Sequence, residues 1–169
     1  MTAFEPPDSH HLSAAEGWLE LGNPREAQAE LDCISAVAQG RVEVLALRWG
    51  ILARFNSWKE CIVLADRIVE AAPKEVFGWI HRSYALHELR RTREARDLLL
   101  PAIRLFPKVE TIPYNLACYE CQLGDLDAAR DWFHRALKLH DRAELKARAL
   151  EDPDLKPLWA EIKAMPAIA

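Results

Sequence analysis

A period of 34 residues runs through the chain and limits what it can fold into. Ala27, Cys61, Ala95 and Ala129 stand 34 residues apart, and small side chains at a fixed repeat position suit a place where two helices cross closely. Seven residues after each lie Ile34, Ile68, Ala102 and Ala136; six before lie Leu21, Phe55, Leu89 and Leu123, a large apolar column. The column after that is Gly22, Asn56, Arg90 and Gly124, where two glycines and an asparagine tolerate a tight turn. Next come Asn23, Ser57, Arg91 and Asp125, three of them good helix N-caps. With Glu26 and Glu60 three residues on, Asn23 and Ser57 predict capping boxes. Pro24 fits a first helical position, and Pro73 and Pro107 stop helices. Each unit therefore reads as helix, tight turn, helix and stop, and no strand is expected.

Composition agrees with that reading. The chain has 169 residues, half of them hydrophobic, and only 6 glycines. With 22 Lys and Arg against 26 Asp and Glu, its net charge is −4. That balance argues against sequence-independent nucleic-acid binding, which needs clustered positive charge, and against a polybasic membrane anchor. The start, Met1-Thr2-Ala3-Phe4-Glu5-Pro6-Pro7-Asp8, lacks the basic and apolar runs of a signal peptide. No stretch is long and apolar enough to span a membrane. Four cysteines do not make a disulfide scaffold, so a cytoplasmic location is expected.

A 34-residue helix–turn–helix unit resembles the tetratricopeptide repeat family. The resemblance covers roughly residues 8–143 and is fullest at Tyr114-Asn115-Leu116-Ala117-Cys118, Leu123-Gly124-Asp125 and Ala128-Ala129. The family's leading Trp is present only as Trp79, a small-residue position holds Trp49, and Pro113 and Glu120 disturb the first helix of the fourth unit. The resemblance implies an all-α, right-handed α-solenoid of about four repeats, at about 8–41, 42–75, 76–109 and 110–142. Residues 1–7 are expected to be a flexible N-terminus. Residues 143–165 are expected to form a C-terminal capping helix pair, broken at Asp152-Pro153-Asp154, with Leu155, Leu158, Trp159 and Ile162 on one apolar face. Residues 166–169 are expected to be a flexible tail.

In that family the first helices line a concave groove. The matching stripes, stepping by four residues, are Leu12, Glu16, Glu20; Ala46, Gly50, Arg54; Ile80, Tyr84, Glu88; and Tyr114, Cys118, Gln122. Phe77 opens the third first helix on the same side and His87 flanks Glu88. Ala46 and Gly50 remove side-chain volume beside Phe77, Ile80, Tyr84 and Tyr114, the shape of a pocket for a partner's apolar side chain. Arg54 and the glutamates would set a peptide's direction. The competing reading is that Gly50 simply admits Trp49 or a neighbouring helix, and that Tyr84 packs within the array. A clamp for a terminal carboxylate is missing from these stripes.

Cys118 and Cys121 form a C-x-x-C without a second pair, and small cysteines are common core fillers. Apart from a loose match at His87, the histidines are scattered and form no set of metal ligands, so no metal and no cofactor are expected; without any catalytic motif the chain reads as no enzyme. Arg90, Arg91, Arg93 and Arg96 form the basic cluster, either a solvated turn or an edge for an acidic partner. Trp18, Trp58, Trp79 and Trp132 fall in apolar columns and read as core, with Trp159 in the cap. The function expected is a protein–protein adaptor that binds a peptide or helix of its partner. Three alternatives stay open: a chaperone for a hydrophobic client, resembling in size those of type III secretion; a self-associating homo-oligomer; and a thiol or metal role for Cys118 and Cys121.

Overall fold

The computed structural model describes residues 3–166, and every regular element among them is helical. The second helix of each unit opens where the turn and cap columns predict: α2 is Pro24–Asp32, α4 Trp58–Ala71, α6 Thr92–Leu99 and α9 Leu126–Leu137, each starting 34 residues after the one before. The first helices are α1 Asp8–Glu20, α3 Val42–Arg54, α5 Val76–Glu88 and α8 Thr111–Leu123. Of these, α8 alone opens one residue beyond the period. Pro113 does not disturb it, because the first turn of a helix has no intrahelical use for that N–H.

The turns are the most regular part of the chain. Gly22, Asn56, Arg90 and Gly124 all take positive φ, at 76°, 54°, 62° and 86°. At each, that residue's N–H bonds three residues back and the next N–H bonds five back: Gly22 to Leu19 and Asn23 to Trp18, repeated at Asn56/Ser57, Arg90/Arg91 and Gly124/Asp125. This is the Schellman closure of a helix, made four times in register. Asn23 and Asp125 then cap the following helices by accepting from the backbone N–H of Glu26 and Ala128. Ser57 does not, and neither expected capping box closes, because the Asn23 and Ser57 N–H groups are taken by the Trp18 and Leu52 carbonyls of the turn; the Ser57 side chain takes no part in capping.

The crossing column Ala27, Cys61, Ala95 and Ala129 is fully buried. In contrast, Leu21 and Phe55 are exposed, since they sit where the helix unwinds into the turn. The tryptophans also depart from expectation. Trp18 is exposed and Trp58, Trp79 and Trp132 are half-buried, whereas Trp49, which broke the repeat pattern, is the buried one.

The chain divides into two compact units, Met1–Ala85 and Leu86–Ala169. In the first, α1 packs on α2, α3 on α4, and α1 and α2 on α3. Ala15, Leu31, Ile34, Val44 and Ile51 form one core, against which Phe4 packs. Phe4 lies in the lead expected to be flexible, but the Arg41 guanidinium sits over its ring at 3.6 Å and Asp8 accepts from the Ser35 N–H and hydroxyl. The start of α5 comes close to α4 at Gly78, where a Cβ would lie 3.0 Å from the Val69 backbone nitrogen.

In the second unit, α8 packs on α9 and on α6. Pro101 interrupts the second helix of the third repeat, leaving a short α7, Ala102–Leu105, because a proline cannot donate the next helical hydrogen bond. The chain continues as α10, Arg142–Glu151, a 3-10 turn, Pro153–Leu158, and α11, Trp159–Ala164. Leu155, Leu158 and Ile162 are fully buried, as expected. The element carrying them starts as a 3-10 turn and not as an α-helix, because Pro157 has no N–H to return to Pro153. Residues 1–2 and 167–169, within the two ends expected to be flexible, lie outside the described residues.

Candidate functional site

The residues expected to line a groove fall into two very different settings. In the first unit Ala46, Gly50 and Arg54 stand on α3, and Phe77, Ile80 and Tyr84 on α5. At Gly50 a Cβ would meet the end of the Leu19 side chain of α1 at 3.1 Å, so the missing side chain faces a neighbouring helix. Trp49, one residue earlier, anchors an aromatic cluster. Its ring lies 4.4 Å from His81, 6.0 Å from Phe77, 6.4 Å from Tyr84 and 6.5 Å from Trp58, mostly edge to face. The buried Trp49 indole N–H has no hydrogen-bond partner. His81 stacks on Phe77, and burial holds its imidazole below the usual histidine range in spite of the bond to the Phe77 carbonyl. Tyr84 is the outward member, 41% exposed, with Trp58 5.7 Å behind it and Arg54 exposed on α3. The cluster therefore presents rigid aromatic surface backed by buried rings.

In the second unit His87, Tyr114 and Cys118 are all buried. They meet the chain's own C-terminal segment in place of an open face. The Tyr114 hydroxyl donates to Asp152 at 2.9 Å, and the Cys118 thiol contacts the same carboxylate oxygen at 3.6 Å. Gln122 donates to the Asp154 carbonyl, and the Asp154 carboxylate lies 2.9 Å from His87 Nε2. A carboxylate only accepts, so Nε2 carries a proton; in the neutral ring Nδ1 then accepts from the Thr92 hydroxyl at 3.0 Å. Sequence reasoning takes Asp152 and Asp154 only as a helix break. Their acidic side chains flanking a proline, next to two buried leucines, are the signal that a docked segment leaves.

The same burial decides the thiols. Burial, reinforced by the Asp152 and Asp154 carboxylates, holds the Cys118 thiol well above its ordinary range, and Cys121 is pushed up to about 11 by burial and then by Asp154. Both shifts favour the protonated thiol at neutral pH. Among the described residues no group of three or more His, Cys, Asp or Glu side chains is placed to hold a metal ion.

The arginine cluster is less uniform than its sequence. Arg91 forms a two-pronged bond with Glu94, and Arg96 turns inward to Asp97 and the buried Glu120. Arg90 and Arg93 remain exposed on a shallow cleft of about 390 Å³ that Gln122 and Leu123 also line. No helix of the described residues is long and apolar enough to cross a membrane.

No family profile matches the chain, and no curated protein matches it. Solved structures do. MamA (residue 41 to its end) from Desulfovibrio magneticus RS-1 superposes with a TM-score of 0.73 at 16% identity, covering 95% of this chain and 93% of that one. TTC0263, a thermophilic TPR protein of Thermus thermophilus, gives 0.71 at 18% identity over 94% and 100%. A mutant form of MamA gives 0.63 at 22% identity over 77% and 76%. With its helix period, its four in-register turns and these likenesses, the chain has the tetratricopeptide-repeat fold.

Proposed function

We propose that the chain is a non-enzymatic interaction module that takes a peptide or helix of a partner protein against the first-helix face of its N-terminal half. The observation that carries this reading is Tyr84, a large aromatic held partly in solvent by a buried aromatic cluster. Rigid aromatic surface with a fixed backing is what binding hot spots are made of. Arg54, on the rim, supplies the charge that orients a ligand. Ala46, Phe77 and Ile80 supply apolar wall. On this reading residues 8–142 act as four repeats, with 143–165 as their cap, and the four free thiols fit a reducing compartment.

The test is capture from the source cell's lysate with wild-type protein and with a Tyr84→Ala variant shown to be folded by circular dichroism. A protein retained by the wild type is then purified and its affinity measured for both. Loss of about tenfold or more in the variant supports the site. Equal affinity sinks it and moves the search to Arg90 and Arg93. A second reading, a holder of hydrophobic clients, draws on the exposed apolar side chains Leu21, Val37, Phe55 and Val63. Co-expression that solubilises such a client, and fails to with Val37→Asp and Val63→Asp, would favour it.

A further inference from the structure

We propose that the outward face of α8, with the end of α5, is a binding site for short acidic segments of the form Asp-x-Asp-Leu, and that the chain's own residues 152–158 occupy it in cis. The partner it fits is a peptide segment of that chemistry on another protein.

The face reads as a row of donors. Tyr114, Cys118 and Gln122 are four residues apart and so share one side of α8. All three point a polar hydrogen at the segment: the hydroxyl and thiol at the Asp152 carboxylate, the amide at the Asp154 carbonyl. His87, from α5, adds a fourth donor to the Asp154 carboxylate, and Thr92 fixes the ring in the orientation this needs. Four donors converging on two carboxylates and one carbonyl define an acidic ligand. The rest of its form is set by the segment. Asp152 also accepts from the Asp154 N–H, which tightens the chain into a 3-10 turn, and Leu155 and Leu158 are then fully buried. The spacing of acid, acid and leucine is thus one recognition unit. The bonds that define it are made by His87, Thr92 and α8, none of which belongs to the site proposed above, so the two sites stand or fall separately.

A tethered segment competes at high effective concentration, so an outside peptide gains access only when the tether's grip is reduced. The experiment uses the full chain carrying Asp154→Ala and Leu155→Ala, and a fluorescein-labelled peptide of the sequence 151–162, followed by anisotropy. The weakened chain should bind this peptide about tenfold or more tighter than the wild type does. Adding His87→Ala, or using a peptide with both aspartates replaced by asparagine, should abolish the gain. Adding Lys59→Ala, an exposed change on α4, should leave it unchanged. If the double variant unfolds by circular dichroism, Asp154→Ala alone serves, with a smaller gain expected. A folded variant that ignores the peptide, or one that binds it no better than the wild type, overturns the proposal. So does equal binding of the asparagine peptide.

Discussion

The two halves of the chain treat one repeat position in opposite ways. Gly50, Tyr84 and Cys118 are 34 residues apart in one column. Tyr84 is 41% exposed on an aromatic cluster; Cys118 is 5% exposed under an acidic segment. The helices that carry them are alike in length and in the turn that follows, so the difference does not come from the repeat. It comes from what the rest of the chain brings: Trp49 and Trp58 behind Tyr84, Asp152 and Asp154 over Cys118. A repeat fixes where a side chain stands, whereas non-repeated residues decide whether it meets solvent.

Thiol chemistry should break or uphold this contrast with the largest effect. Cys33 is exposed, whereas Cys121 has its thiol pushed up to about 11 and Cys118 is held higher than its ordinary range. At pH 8 a thiol near 11 is ionised roughly a hundredfold less than an ordinary one. Alkylation of the native protein followed by mass spectrometry should therefore modify Cys33 first, with Cys118 and Cys121 slower by about two orders of magnitude or more. Comparable rates at all three would mean that the C-terminal segment does not stay docked.

Stability is the next lever. Leu155→Ala removes a fully buried side chain and should cost about 2–5 kcal/mol in urea unfolding, while Tyr84→Ala, 41% exposed, should cost less, about 1–2 kcal/mol. Equal costs would make Tyr84 a core residue and erase the distinction. Among the glycines, Gly78→Ala should cost about 1–3 kcal/mol, since the new Cβ meets backbone. Gly50→Ala presses only on the end of a leucine and should be nearly neutral, the gain in helix propensity offsetting the crowding.

The turn column gives a smaller effect of opposite sign. Arg90 takes φ 62° with a Cβ in place, so Arg90→Gly should stabilise by about 1 kcal/mol, and Gly124→Ala should destabilise by a similar amount. The smallest effect is at Asp8. The hydrogen bonds from Ser35, hydroxyl first and backbone second, hold its carboxyl below the ordinary range. A lowered carboxyl contributes stability at neutral pH that is lost as pH falls through its folded-state value. The urea midpoint of Asp8→Asn should thus lie slightly below wild type at pH 7, with the gap narrowing as pH falls below about 4.

The period, the crossing column and the turn positions are legible in the sequence because each rests on a local rule repeated four times. Gly22 and Gly124 announce a left-handed turn; Arg90 has to follow because its neighbours at the same spacing do. Ser57 shows the limit of such rules: it has the residue type of a cap and makes no cap bond. The tryptophans depart from expectation for a related reason, since an apolar column does not say which member faces solvent. The pairing of His87 with Asp154 spans 67 residues and obeys no period, so nothing in the spacing of either predicts it. Half of the candidate groove is invisible in the sequence for that reason.

The four left-handed turns also decide where this chain can change length. Gly22, Asn56, Arg90 and Gly124 keep an unbroken 34-residue count although α8 starts one residue late. α8 keeps the 13 residues of α1, α3 and α5 and ends one residue later, directly before Gly124, so the offset lies in the joining stretch ahead of the helix and at its last turn. A residue added or deleted inside any helix would instead rotate every later side chain by about 100° and put a different residue at the positive-φ position. Insertions and deletions should therefore survive in the stretches that join one repeat to the next, and nowhere within a helix–turn–helix unit.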